Sequence, residues 1–90
     1  ALTGFGDAAA DFLGRVDGLV NNAGTNIFAG VSGATRPVIA RCLDVNFMPC
    51  WMLSRQLRPY LARSRGAIVN MASVHASRTD AGAFPYNVSK

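Results

Sequence analysis

Val16-Asp17-Gly18-Leu19-Val20-Asn21-Asn22-Ala23-Gly24 joins a short apolar run to a turn of small residues. Residues 16–20 read as a buried strand, and 21–24 as a tight turn whose lack of bulk lets a second backbone or a ligand approach closely. The reading of everything else follows from what flanks this stretch. Upstream, residues 3–14 place Asp7 as a candidate cap, apolar positions at Ala8, Ala9, Phe12 and Leu13, and Gly14 as a stop, which predicts a helix. Gly4-Phe5-Gly6-Asp7-Ala8-Ala9 also spells Gly-x-Gly-x-x-Ala, a phosphate-binding fingerprint. That fingerprint needs a buried strand before it and an acidic residue about 20 residues on, and only three residues precede Gly4. The turn-and-cap reading is preferred.

Downstream, residues 25–34 form a loop rich in glycine and small polar residues. Residues 35–65 carry the longest periodic pattern. Thr35 caps, Pro37 is tolerated in the first turn, Arg41, Asp44, Arg55 and Arg58 form a polar stripe, and Leu43, Phe47, Trp51, Leu57 and Leu61 fill the opposite side. One long amphipathic helix is expected. Asn46 interrupts it, and a buried asparagine there needs a polar partner, most simply a backbone group. Gly66 ends the helix, residues 67–72 read as a second strand that Ser73 closes, and 74–85 read as a loop. Strand, helix and strand in this order make a βαβ unit, hence a parallel sheet with a right-handed crossover. In open parallel sheets ligands bind outside the carboxyl ends of the strands, which puts Asn21 to Gly24 and Ser73 on the ligand edge.

Half the residues are apolar and the net charge is +4, almost wholly from arginine, with Lys90 the only lysine and no glutamate. Six arginines fall between Arg36 and Arg65, where a solvated helix face accounts for them. They lack interleaved exposed aromatics or a binding motif, so a nucleic-acid partner is not expected. No apolar run approaches the roughly 20 residues that span a bilayer, and no membrane partner is expected either. Cys42 and Cys50, on one helix, would stand ~12 Å apart along its axis, too far for a disulfide. They read as reduced packing residues, consistent with a cytoplasmic location. His75 is the sole histidine, so no metal cluster is available. On its loop two residues after Ser73 it could touch substrate or face water, and the water-facing reading is preferred.

The chain closes on Tyr86-Asn87-Val88-Ser89-Lys90. If this segment opens a helix after Pro85, Tyr86 and Lys90 share one face, four residues apart. A neighbouring ammonium favours the phenolate and so equips a tyrosine to exchange protons. Tyr-x-x-x-Lys alone is weak. Its register with Ser73, Asn46 and the Asn21-Asn22-Ala23-Gly24 turn makes it specific, and with these four motifs the chain resembles the short-chain dehydrogenase/reductase family, in its single-domain branch. Ala72-Ser73 stands where the family usually has two small hydroxyl residues, and Pro85 before Tyr86 is unusual there.

The resemblance implies an α/β fold, part of a doubly wound Rossmann-type parallel sheet. Residues 1–90 would be the central part of one NAD(P)-binding domain, truncated at both ends. It implies an oxidoreductase moving a hydride between NAD or NADP and a secondary alcohol or carbonyl, and a homo-oligomer at full length. Tyr86 would be the acid or base, Ser73 would hold the substrate oxygen, and Lys90 would make the tyrosine more acidic and bond the nicotinamide ribose. Asn46 would hold a water linking Lys90 to solvent. Asn22, Ala23 and Gly24, with Tyr86 and Lys90, would line the cofactor. A non-catalytic dinucleotide-binding sensor of the same fold is the alternative. The polar loop residues His75, Arg78, Thr79 and Asp80 suit a hydroxylated substrate.

Overall fold

Two parallel strands carry the architecture, β1 (Gly18–Asn21) and β2 (Ala67–Asn70), paired from Gly18↔Ala67 to Asn21↔Asn70. They belong to a computed structural model that describes residues 3–90. Around them in chain order come α1 (Phe5–Leu13) before β1, then α2 (Gly30–Gly33), α3 (Arg36–Asn46) and α4 (Met48–Ser64) before β2. Two single 3₁₀ turns (Val74–Ala76, Ala81–Ala83) and α5 (Tyr86–Ser89) complete the chain. The expected strand–helix–strand order and parallel pairing are present. Asn21 Nδ2 donates to Asn70 Oδ1 at 2.7 Å, so the two strand ends are tied by side chains as well as by register.

The chain divides into two compact units, each assembled from two separate stretches. The first comprises Ala1–Asn21 and Pro49–Asn70, with a core of Ala10, Val16, Leu57 and Leu61 to which Leu19 and Tyr60 add. Gly6 makes the approach of α1 to α4 possible. A Cβ on Gly6 would stand 2.6 Å from Gln56 Oε1, the atom that accepts the Gly6 N–H at 2.8 Å. Gly-x-Gly-x-x-Ala here serves helix packing, in keeping with the rejection of the phosphate-loop reading. Asp7 does not cap α1; Gly4 occupies that position, and Asp7 accepts from Tyr60 Oη at 2.8 Å.

The expected single helix over 35–65 is two helices, interrupted at Phe47. Pro49 explains the break, since it has no N–H to reach back to Val45 O and its ring crowds that carbonyl. The second helix then opens with Pro49 in its first turn, where a missing N–H costs little. Two residues assigned to the apolar side of that helix, Phe47 and Trp51, are half exposed, and the Trp51 ring instead carries the Arg55 guanidinium at 5.6 Å. The strand reading also needs correction. Val16 is buried just ahead of β1, but Val20 is 63% exposed and Val69 of β2 50% exposed. Parallel strands are buried only when helices cover both faces, and the described residues do not supply that cover. β2 stops at Asn70, so Ser73 caps the first 3₁₀ turn.

The second unit comprises Asn22–Met48 and Met71–Lys90. Asn22, Ala23, Gly24, Asn46, Ser73, Tyr86 and Lys90 all lie within it, whereas Asn21, read as part of the turn, ends β1 in the first unit. Among the described residues no helix is long and apolar enough to cross a membrane.

Candidate active site

Thr35 starts α3 as expected, its hydroxyl accepting the Val38 N–H at 3.4 Å. The helix carries Asn46 at its last position, where the side chain is 3% exposed. Such an amide must find partners, because an unpaired buried polar group costs roughly 1–3 kcal/mol. Asn46 Oδ1 accepts the Thr25 N–H at 2.7 Å, and Asn46 Nδ2 donates to Thr25 O at 2.9 Å and to Ser89 Oγ at 3.0 Å. The backbone-bonded asparagine expected from the sequence is therefore present. It ties the turn after β1 to α3 and α5 at one point.

Gly24 shows why the turn is glycine. A Cβ placed on it would stand 3.2 Å from Asn46 Oδ1 and 3.2 Å from Lys90 Nζ, so an amide oxygen and an ammonium converge on bare backbone. An open cleft of about 220 Å³ lies here, with Asn22, Gly24, Thr25, Ala72, Tyr86 and Lys90 among its walls. Ala23, between two of these residues, does not line it.

Tyr86 opens α5 as expected, and Lys90 caps it. The Tyr86 N–H donates to Ile27 O at 3.2 Å, and Ser89 Oγ donates to Tyr86 O at 2.7 Å. The segment ahead of it is held by a bridge between Phe28 and Pro85 and by the Ala29 and Gly30 N–H groups, both donating to Phe84 O. Gly30 has φ +74°, a left-handed value that favours glycine. Phe28 thereby meets the Tyr86 ring edge-to-face at 5.2 Å.

The expectation for His75 is corrected. It is half-buried, on the first 3₁₀ turn, with its ring 5.8 Å from Tyr86 and 5.6 Å from Phe28. Its Nδ1 shares a 2.9 Å hydrogen bond with Thr79 Oγ1, and its N–H donates to Ser73 Oγ at 3.2 Å. Sequence reasoning missed Thr25, Phe28 and this role of His75. Their contacts are made across loops, where no periodicity exists to reveal them. A lone aromatic residue shortly after the turn was the one available signal for Phe28.

The described residues contain no group of His, Cys, Asp and Glu suited to a metal ion. They do fit part of a cofactor. The bare backbone at Gly24 flanked by an amide oxygen and an ammonium can take a hydroxylated ring edge, and the cleft is of a size for one sugar, below the ~300–1,000 Å³ of complete ligand sites.

The sequence of residues 3–90 matches the model of the short chain dehydrogenases. The chain belongs to the short chain dehydrogenase family. Its relatives include a ketoacyl reductase attributed to the granaticin polyketide synthase of Streptomyces violaceoruber, 38% identical over 92% of this chain and 35% of that protein. The same fold is seen in the aldohexose dehydrogenase of Thermoplasma acidophilum, at a TM-score of 0.90 and 31% identity over 98% of this chain and 35% of that one. A 7α-hydroxysteroid dehydrogenase in complex with NADH and 7-oxo glycochenodeoxycholic acid matches at TM-score 0.87 and 27% identity, over 98% of this chain and 34% of the other. This short chain dehydrogenase sequence thus spans about a third of the length of the relatives it matches. The Rossmann-like α/β fold of those structures is the fold of its two parallel strands and their helices.

Proposed function

We propose that this chain is the central part of an NAD(P)-dependent oxidoreductase domain that interconverts a secondary alcohol and a carbonyl compound. The observation that carries the reading is the convergence of Asn46 Oδ1 and Lys90 Nζ above Gly24, in the cleft that Tyr86 also lines. The NADH in the hydroxysteroid dehydrogenase complex supports the cofactor class. When bound, the nicotinamide donates or accepts the hydride.

The residues of this chain have the remaining work. Tyr86 Oη gives a proton to the substrate oxygen in reduction and takes it back in oxidation. Ser73 Oγ already accepts the His75 N–H, so its own O–H remains to donate to that same oxygen. Lys90 Nζ would hold the ribose hydroxyls beside Gly24, with Asn22 continuing the cofactor wall. Asn46, whose Oδ1 lies beside Lys90 Nζ around Gly24, would hold a water that links Lys90 to solvent and passes protons onward. The proposed partner is a small alcohol or carbonyl compound, and the full-length protein is proposed to be a homo-oligomer. Cys42 and Cys50 are not joined in a disulfide, which favours a cytoplasmic location.

Tyr86→Phe in the full-length protein tests this. Turnover of an alcohol and ketone panel with NAD(H) and NADP(H) should fall by about 10²-fold or more, with dinucleotide affinity nearly unchanged. Turnover retained by the variant would remove Tyr86 from its role. Dinucleotide binding without turnover in the unaltered protein would favour a sensor.

A further inference from the structure

His75 touches both residues to which the proposed reaction assigns the substrate oxygen, and it does so with two different parts of itself. Its backbone N–H donates to Ser73 Oγ at 3.2 Å. Its ring stands edge-on to Tyr86 at 5.8 Å with an interplanar angle of 83°. Phe28 completes a three-ring cluster, 5.2 Å from Tyr86 and 5.6 Å from His75. Edge-to-face pairs at 4.5–7 Å are the favoured arrangement of aromatic rings, so each ring restrains the others.

The histidine is itself restrained. Its Nδ1 shares a 2.9 Å hydrogen bond with Thr79 Oγ1, one turn further along the same segment. This bond favours one χ2 orientation of the ring, and a phenylalanine at 75 would keep the ring contact but not this anchor. The backbone of residue 75 is held by the 3₁₀ turn, in which the Ala76 N–H donates to Ser73 O and the Ser77 N–H to Val74 O. Ser73, His75 and Thr79 therefore form one short chain of contacts that ends against the tyrosine ring.

We propose that His75 is a positioning residue for the Ser73 and Tyr86 pair: the backbone bond orients the serine hydroxyl, and the Thr79-anchored ring selects one rotamer of the tyrosine. This rests on the oxidoreductase reading above. A hydride transfer demands that both hydroxyl groups meet one oxygen atom, and a misplacement of about 1 Å at such a site can cost about 10²-fold in rate. His75 makes no contact with the reacting atoms in this scheme. It acts through its two neighbours.

The test uses the full-length protein and three variants, His75→Ala, His75→Phe and Thr79→Val. Loss of an aromatic pair corresponds to about a 2- to 12-fold effect. His75→Ala should lower kcat by about tenfold while KM and dinucleotide affinity move less than about twofold. His75→Phe and Thr79→Val both keep a ring beside Tyr86 and lose the anchor, so each should fall between the unaltered protein and His75→Ala. A merely structural histidine would instead lower the melting temperature with kcat intact, and that result overturns the proposal. A second readout needs no turnover. In protein labelled with ¹³C on its tyrosine rings, Tyr86 should show nuclear Overhauser contacts to His75 and one rotamer, and His75→Ala should give rotamer averaging. A single rotamer retained in His75→Ala overturns the proposal even if no substrate is ever turned over. Absent turnover with normal ring contacts counts against the oxidoreductase reading alone.

Discussion

Arg65 has φ 54°, a left-handed conformation that a side chain with a Cβ occupies at a cost of about 1 kcal/mol. It ends α4 in a Schellman motif: the Gly66 N–H donates to Leu61 O at 2.8 Å and the Arg65 N–H to Ala62 O at 3.4 Å. Glycine usually fills the position that Arg65 occupies, yet the glycine stands one residue later. The reason is packing, since a Cβ on Gly66 would lie 2.5 Å from Asp17 O and 2.8 Å from Leu61 Cδ2. Two opposite outcomes are expected from neighbouring substitutions. Arg65→Gly should stabilise by about 0.5–1 kcal/mol, and Gly66→Ala should destabilise by about 1–3 kcal/mol, because backbone cannot yield as a side chain can. Denaturant midpoints at unchanged m-value read both, and equal effects of one sign would contradict the assignment. The sequence announced that a helix ended here and could not tell which of the two residues needed the freedom. Asn46, Ser73, Tyr86 and Lys90 could be singled out as candidates because their mutual spacing is a pattern, whereas the contacts of Phe28 and His75 could not, because a ring contact between loops leaves no trace in spacing.

Elements in the first unit are joined by polar ties as well as by the core. Tyr60 on α4 donates to Asp7 on α1, and Gln56 on α4 accepts from Gly6. The hydrogen bond to Asp7, with burial and the Asp7 charge behind it, raises the Tyr60 pKa above its ordinary 10.0. A raised pKa means that the folded state favours the neutral phenol more than the unfolded state does. The contribution is thus whole below about pH 10 and is lost as pH rises through the folded value. Between roughly pH 9 and pH 11 the melting temperature should fall more steeply in the unaltered protein than in Tyr60→Phe. Parallel curves would show that the tie does not bear on stability. The sequence read the helices by period and the strands by apolar runs, and it placed α1, β1, β2 and α5 within a few residues. It missed the break at Phe47 because periodicity continues through it. The cause is a backbone property of Pro49, which periodicity does not register.

Across the whole molecule, apolar surface is left open in both units. Phe12 is 89% exposed, Val20 63%, Val31 76%, Val74 76% and Val88 67%, too many for scattered surface residues. The ninety residues expressed alone should therefore bind a hydrophobic-reporter dye and grow in light scattering with concentration, and a protein of the relatives' length should do neither. A dark, monomeric ninety-residue chain would mean that this surface is not adhesive. The order of the stretches carries a further consequence. The chain passes between its two units after Asn21, after Met48 and after Asn70, so neither unit is a continuous segment. During synthesis from the amino end, the first unit must wait for Pro49–Asn70 to emerge, and the second, begun at Asn22, must wait longer still for Met71–Lys90. Neither can be excised as a working module by a single cut, and the half that carries the Tyr86 cleft is the last of the two to be completed.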